Sequence, residues 1–522
     1  MVPEKINNSN LPENTRKTQV EQAQVSREIK PAPPRYRNEL AKYIINRSDA
    51  CIHCGKCAEV CPQGVHVLKP GYKLFAAPRL NVCVGPSCQN TDRYCVDLCP
   101  QKALRMVENP MMKVLGDYRW TPDLILSTWK MAETGSAPPK EFGYEREFGN
   151  SGGGFDRLKI KFPAKAPLEV KPEEVDTTLE LNRRNDGRPQ IKLDVPWYGG
   201  GMSFGSVSNV TQLSKARAAV AFNTFTCTGE GGYMERLRPY DDHTITQVAT
   251  GLFGVREETI QRVRIIEFKY AQGAKPGLGG HLLADKVTPS VARMRETVLG
   301  ISLFSPFPFH SVYSIEDHQK HMDWIKHINR HALISAKVST PTDVDMVAVG
   351  SHSAGAHIVH IDGGYGGTGA APDIAKKNIA MPVEYGIVKV HDFLTREGVR
   401  DKVTLIASGG LRNAYDIAKA IALGADGVVV GTAELVALGC LRCARCESGR
   451  GCPRGIATTD PKLQEQLTVE WGSQRIINLY NAWRNDLVDI LVKLGLRSIS
   501  ELRGRTDLLM HMDYTNDMEP KK

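Results

Sequence analysis

Cysteines carry the plainest chemistry in this sequence, and of the 13 only Cys227 stands outside three tight groups. The first group reads Cys51-x2-Cys54-x2-Cys57-x3-Cys61-Pro62, the second Cys83-x4-Cys88-x6-Cys95-x3-Cys99-Pro100. Outside an oxidising compartment, such clustering means metal rather than disulfides. In runs of this kind three thiolates wrap one face of a cubane iron–sulfur cluster and the fourth crosses to a neighbouring cluster. The spacing therefore pairs Cys51, Cys54, Cys57 and Cys99 around one 4Fe–4S cluster, and Cys83, Cys88, Cys95 and Cys61 around another. Zinc knuckles share the Cys-x2-Cys spacing, but two Cys-x3-Cys-Pro endings with the right crossing count favour iron and sulfur. The third group, Cys440-x2-Cys443-x2-Cys446-x5-Cys452-Pro453, suggests a third iron–sulfur cluster, with zinc the alternative. Cys227 reads as a small buried hydrophobe.

Glycine-rich loops come next. Ser408-Gly409-Gly410 and Gly431-Thr432-Ala433 each follow a short β-branched run, and late loops of this kind can offer backbone N–H groups to a ligand phosphate. A literal G-x-G-x-x-G occurs at Gly364–Gly369, but Ala370-Ala371-Pro372 follows and no acidic residue closes a second strand about 20 residues on. It reads as backbone lining a pocket, through Gly366 and Gly367, rather than as a dinucleotide site. No P-loop or H-E-x-x-H motif is present, and the 14 histidines form no metal-spaced pair, which makes them structural.

These residues need a scaffold. From about residue 190, short β-branched runs (Arg264–Phe268, Leu333–Val338, His357–Ile361, Val403–Ala407, Gly427–Val430) alternate with helix-like stretches such as Ala414–Leu423. Buried strands alternating with helices imply a parallel sheet. About seven such units are legible and an eighth is uncertain, which favours a closed (β/α)8 TIM barrel over an open sheet. The expected organisation is a flexible polar arm over 1–37, a small two-cluster domain over 38–108 and a connecting segment over 109–189. A barrel carrying the third cysteine group follows over 190–490, and a C-terminal helix and tail over 491–522.

A hydrophobic fraction of 41% suits a globular protein, and no run approaches the ~20 apolar residues of a membrane helix. With no signal-peptide pattern at the start, a cytoplasmic enzyme is expected. The net charge of +9 comes without a basic run interleaved with aromatics, which excludes nucleic acid and fits an acidic partner such as a carrier ferredoxin.

At this point the residues resemble two families. The N-terminal cysteines resemble a bacterial-type two-cluster ferredoxin domain. Residues 190–490 resemble the FMN-binding domain of glutamate synthase, through Gly201–Ser206, Thr228–Gly232, Gln247–Gly251, Lys269–Gly277, Tyr313–Asp317, Ser335–Val338, Asp362–Ala371, Val436–Cys440 and Cys452–Thr458. A ferredoxin module ahead of that domain is similar to the archaeal-type large subunit. The resemblance implies an iron–sulfur flavoprotein oxidoreductase, an α/β (β/α)8 TIM barrel binding FMN, that makes L-glutamate from 2-oxoglutarate and ammonia. It implies FMN along Met202, Ser203, Gly205, Thr228 and Gln247, with Lys337 near the flavin N1–C2=O. It implies 2-oxoglutarate held by Lys269, Gln272 and Lys275, with Glu230 in the same pocket. Separate glutaminase-type and electron-donor subunits are implied too, since no NAD(P) site is legible.

Departures from the family stand at Thr246, Leu252, Leu278 and Phe307, which are expected to make the pocket less polar. They leave open a related FMN enzyme on another amino or keto acid, such as an N-methylglutamate synthase-like subunit, or a non-catalytic electron-transfer subunit. In the third group the family uses three cysteines for a 3Fe–4S cluster, and the additional Cys443 here is expected to allow 4Fe–4S.

Overall fold

The near-continuous apolar runs become strands covered on both faces, the pattern of a parallel sheet wrapped by helices. In the computed structural model, the described residues are 25–514 apart from 36–39, 70, 73, 150, 152, 307–308, 310, 370 and 448–449. One 8-stranded parallel sheet forms the barrel: β1 (Trp197–Gly199), β2 (Thr226–Cys227), β3 (Thr244–Ala249), β4 (Ile265–Lys269), β5 (Leu333–Ser339), β6 (Ile358–Asp362), β7 (Thr404–Ser408) and β8 (Gly427–Val430). The order is β1-β8-β7-β6-β5-β4-β3-β2. The ring closes between β1 and β2, where Gly199 N–H donates to the Phe225 carbonyl at 2.8 Å and Gly201 bridges to Cys227. The uncertain eighth unit is thus β2, a strand of two residues.

Alternate residues along each strand point into the ring, and they stack in layers. Tyr198, Cys227, Ile245, Ile265, Leu333, Ile358, Ile406 and Val429 form an apolar floor, sealed from below by Leu179, Leu181, Ile191 and Leu193. The layer above is polar: Gln247, Glu267, Ser335, His360 and Ser408. Charged residues end the strands, with Lys269 on β4, Lys337 on β5 and Asp362 on β6. Strands β4, β6 and β7 run one residue beyond the apolar runs of the sequence, to Lys269, Asp362 and Ser408. Their polar ends are satisfied inside the ring, so the ladder does not stop where the hydrophobicity does.

Outside, the helix Val469–Leu494 is started by the Thr468 side chain, which accepts from Trp471 N–H, and is stopped by Gly495 at φ 70°. It packs on Asn209–Ala221 and on Pro122–Thr134, so residues 109–189 lie against the barrel rather than between bodies. Residues 158–160 pair with the strand Leu509–His511. The excursion between β4 and β5 holds an antiparallel pair, Leu278–Leu282 with Leu303–Pro306, and the helix Pro289–Arg295. No helix among the described residues is long and apolar enough to cross a membrane.

In the N-terminal module, Tyr43–Arg47 pairs antiparallel with Leu104–Glu108, and the cysteine loops fold between them around Ile45, Val65 and Leu104. The expected flexible arm over 1–37 lies outside the described residues at 1–24 and 36–37. Its remainder is not a free arm. Arg475, Asn478 and Asn481 donate to the carbonyls of Ala32, Lys30 and Arg27, binding that stretch to the C-terminal helix.

Candidate active site and cysteine centres

The charged strand ends meet the loops at the C-terminal face, where barrels build their sites. Lys269 Nζ lies 2.7 Å from Glu230 Oε2, joining β4 to the loop after β2. Burial alone would raise the Glu230 carboxyl, but the Lys269 ammonium and its hydrogen bond, with Lys275 beyond, bring it down to about 2. Lys275 is buried, which lowers its ammonium, while Glu230 acts the other way. Gln272 is buried on the same loop.

Arg295, from the helix between β4 and β5, was not singled out by its sequence setting. It is 2% exposed, and its Nη2 donates to Ser203 Oγ at 2.9 Å. Its Nε and Nη1 have no hydrogen-bond partner among the described residues. Gly231, at φ 118°, lets the guanidinium pass, since a Cβ there would fall 2.6 Å from Arg295 Cζ. Lys269, Lys275 and Arg295 thus surround one carboxylate, Glu230, an excess of positive charge suited to a dianion.

A second network lies beneath. Glu267 accepts from Gln247 Nε2 at 2.6 Å and from Ser335 Oγ at 2.9 Å, and lies 2.9 Å from His360 Nδ1. Burial pushes its carboxyl up, but His360, Lys337 and Gln247 outweigh that and bring it to about 2. His360 Nε2 meets Ser408 Oγ at 2.7 Å, and that hydroxyl donates to Asp362. Asp362 also accepts Gly273 N–H at 2.9 Å and pairs with Lys337 Nζ at 3.5 Å. Burial lowers the Lys337 ammonium, yet Asp362 and Glu267 together raise it above its usual value. Glu267, His360 and Asp362 carried no spacing signal in the sequence; their hydrophobic surroundings read simply as strand.

The glycine loops converge as well. Gly409 and Gly410 have φ of 110° and 85°, and a Cβ on Gly410 would overlap the guanidinium of Arg119. Arg119 comes from the connecting segment, is 4% exposed and lies over the Tyr365 ring at 3.8 Å. Its Nη2 donates to the Gly410 carbonyl at 3.3 Å, while Nε and Nη1 lack partners. Glu384, whose carboxyl burial pushes up, faces the same guanidinium. Gly366 and Gly367 bring the loop after β6 against Ala274 and Thr432, and Gly369 comes close to Cys446. Ser408 turns its hydroxyl inward, so only its backbone faces the loop.

Met202 and Thr228 offer their carbonyls to Gln212 Nε2, at 2.5 and 3.4 Å, which ties the loops after β1 and β2 together. Gly205 adjoins Leu282 and Arg295. The stretch Gly201–Gly205 also spells G-x-S-x-G, but Ser203 bonds Arg295 and Ser206, and among the described residues no histidine bonds it. The mouth fits a flavin: Gln247 Oε1 is buried without a partner, Lys337 is a buried cation, and side-chain-free glycine backbone borders it.

One of the departures expected to make the pocket less polar, Thr246, turns away from the barrel interior. Thr246 lies beside Ile266 on the outer face of the sheet, and Leu252 is 55% exposed. The Leu278 side chain and Phe307 lie outside the described residues.

One cavity is lined by Cys51, Cys54, Cys57 and Cys99, with Arg47 and Phe75. Cys61 crosses to the other side, where it adjoins Cys83, Cys88 and Cys95. Among the described residues no three metal-ligating side chains converge on one point, as a single zinc ion would require. Cys440, Cys446, Cys452 and Cys443 gather beside the barrel mouth. Arg442 and Ala444, at φ 59° and 56°, turn the chain on either side of the exposed Cys443. Arg442 reaches Gly367 O at 3.2 Å and Lys286 Nζ reaches Cys446 O at 2.7 Å, fixing this loop to the mouth. Cys227 is buried, 5% exposed, as its solitary position suggested.

Comparison with known proteins finds matches in both parts of the chain. Residues 156–497 match the family described as a conserved region in glutamate synthase, and residues 46–65 match a 4Fe–4S binding domain. The chain is 36% identical to an archaeal-type glutamate synthase [NADPH] of Thermotoga sp. (strain RQ2), over 90% of this chain and 94% of that one. It is 35% identical to the archaeal glutamate synthase [NADPH] of Methanocaldococcus jannaschii, over 91% and 95%. The large chain of the glutamate synthase [NADPH] of Azospirillum brasilense is 38% identical over 68% of this chain, but over only 23% of its own length.

Proposed function

This chain belongs to the glutamate synthase family, as an iron–sulfur flavoprotein oxidoreductase of the type acting on CH–NH2 donors, and from that premise we propose that it reduces 2-iminoglutarate to L-glutamate. The observation that carries the substrate is the mouth of the barrel, where three buried or nearly buried cations surround one carboxylate. A 2-oxoglutarate dianion would neutralise that excess.

In this reading Lys275 and Arg295 hold the carboxylates, the guanidinium with donors it does not use within the chain. Lys269, fixed by Glu230, orients the carbon to be reduced together with Gln272. Ammonia adds to the keto carbon and water leaves, giving the imine; one hydride and one proton then complete L-glutamate. FMN, when bound, supplies the hydride, and the clusters supply its electrons singly. Met202, Ser203, Gly205, Thr228 and Gln247 would line the flavin, with Lys337 placing a positive charge beside it. Gly409, Gly410, Gly431 and Thr432, with Gly366 and Gly367 alongside, would take its phosphate end, where Arg119 adds charge. The polar layer below excludes water and holds Lys337 in place through Asp362.

Two 4Fe–4S clusters in the N-terminal module and a third on Cys440, Cys443, Cys446 and Cys452 complete the reading, the third being of the 4Fe–4S type. The contact of Gly369 with Cys446 supports transfer from the third cluster toward the mouth. In this reading nitrogen and electrons come from separate glutaminase-type and electron-donor chains.

The test uses anaerobic holoprotein with reduced viologen as donor. Viologen oxidation on adding 2-oxoglutarate and ammonium, with glutamate formed, is the expected result. No turnover in protein shown to contain FMN would overturn the substrate.

A further inference from the structure

We propose that Arg47 raises the reduction potential of the cluster held by Cys51, Cys54, Cys57 and Cys99, making it the more easily reduced of the two in the N-terminal module; this rests on the cluster reading above. Arg47 closes the strand Tyr43–Arg47 and lines the same cavity as those four cysteines. Its Nη2 lies 3.8 Å from Cys57 Sγ and 3.3 Å from His66 Nδ1. The guanidinium is clamped over Phe75, 3.7 Å from the ring centroid, and its Nε is buried without a partner. A cation this confined cannot swing away to water.

The physical argument is electrostatic. Reducing a cluster adds an electron shared over iron and sulfur, and an N–H donated to a ligand sulfur stabilises that form more than the oxidised one. Enclosure by Phe75 weakens screening by solvent, so a fixed positive charge acts strongly at this range. His66, 4% exposed, accepts from Arg47 as a neutral ring and leaves that charge uncompensated.

Among the described residues no cation stands so beside the second quartet. The hydrogen bonds to its sulfurs come from backbone amides, Val65 N to Cys61 at 3.4 Å and the Gly85 amide to Cys83. Its other titratable neighbours are thiols and the neutral phenols of Tyr94 and Tyr144. A cluster in an apolar shell without a cation is harder to reduce. Lys56 also lines the first cavity but is exposed and paired with Glu59, so the charge that separates the two sites is that of Arg47. The easier one also lies outermost, with Cys54 exposed and Ile52 60% exposed, where an incoming electron would meet it first.

The experiment is a redox titration of the full holoprotein followed by electron paramagnetic resonance, for the parent, Arg47→Gln and Arg47→Lys, with iron counted in each. Arg47→Gln is expected to make one module cluster about tenfold harder to reduce, roughly 59 mV for a one-electron couple, leaving the other module cluster and the third unmoved. Arg47→Lys, which keeps the charge and loses the planar fork, is expected to fall between. Unmoved potentials in both variants, or an equal shift of both module clusters, would overturn the proposal. If Arg47→Gln loses iron, an unshifted Arg47→Lys overturns it, and loss of iron from both variants makes Arg47 a structural residue only. A parent protein lacking two 4Fe–4S signals besides that of the third site would instead sink the cluster reading.

Discussion

Lys269 Nζ and Glu230 Oε2 stand 2.7 Å apart, and this single pair spans from β4 to the loop after β2, across the end of β3. It makes the substrate pocket sensitive to acid. The Glu230 carboxyl is brought below its ordinary value of 4.5 to about 2, and Glu267 likewise. A depressed carboxyl contributes stability that is complete above the unfolded value and is lost as pH falls through the folded one. Thermal melts should therefore weaken as pH drops from about 4.5 toward 2, with Glu230→Gln showing the shallower fall. A pH slope in the variant equal to that of the parent counts against the pairing.

Substrate affinity should follow the cations. Lys275→Gln and Arg295→Lys are each expected to raise the KM for 2-oxoglutarate by about tenfold to a hundredfold, the worth of one charge-assisted hydrogen bond of ~1.5–3 kcal/mol. The melting temperature should change little. Steady-state kinetics with varied 2-oxoglutarate decides it, and an unchanged KM in both variants removes Arg295 and Lys275 from the pocket.

Flavin retention should depend on Gly410. Its φ of 85° and the closeness of Arg119 leave no room for a Cβ. Gly410→Ala is expected to weaken FMN binding at least about tenfold, given ~1–2 kcal/mol of left-handed strain plus displacement of Arg119. The readout is FMN bound per chain after dialysis, and full retention argues against the loop.

The interior network should show coupling. Changing His360 alone leaves Glu267 a buried carboxylate short of a partner, a loss of about 3 kcal/mol. Adding Glu267→Gln to His360→Gln should restore most of the melting temperature, because the charge is then gone. A double variant no better than the single one contradicts the network.

Cys443 should decide the type of the third cluster. Cys443→Ser is expected to lower iron by one per chain and to convert a 4Fe–4S signal to a 3Fe–4S one, while Cys440→Ser loses the whole cluster. Identical iron and spectra in Cys443→Ser and parent would exclude Cys443 as a ligand.

The sequence by itself determined the chemistry that is written in local spacing. Cysteine runs place thiolates within a few residues of one another, so the crossing of Cys61 and Cys99 was legible without coordinates. Most barrel strands were legible for a similar reason, since burial on both faces leaves a run of apolar residues that polar loops interrupt. The residues proposed for flavin and substrate were reachable through the family resemblance because they sit in contiguous stretches such as Lys269–Lys275.

Only the tertiary structure decided what depends on residues distant in the chain. Arg295 and Arg119 reach the mouth from an excursion and from a segment that reads as a connector, and a lone arginine there looks like any surface arginine. Glu267 and His360 are inward because of barrel register, which a run of strand residues does not disclose. The same register turned Thr246 outward, against the expectation that it alters the pocket. Spacing along a chain fixes which groups can meet locally, whereas closing eight strands into a ring fixes which side of each strand faces the site.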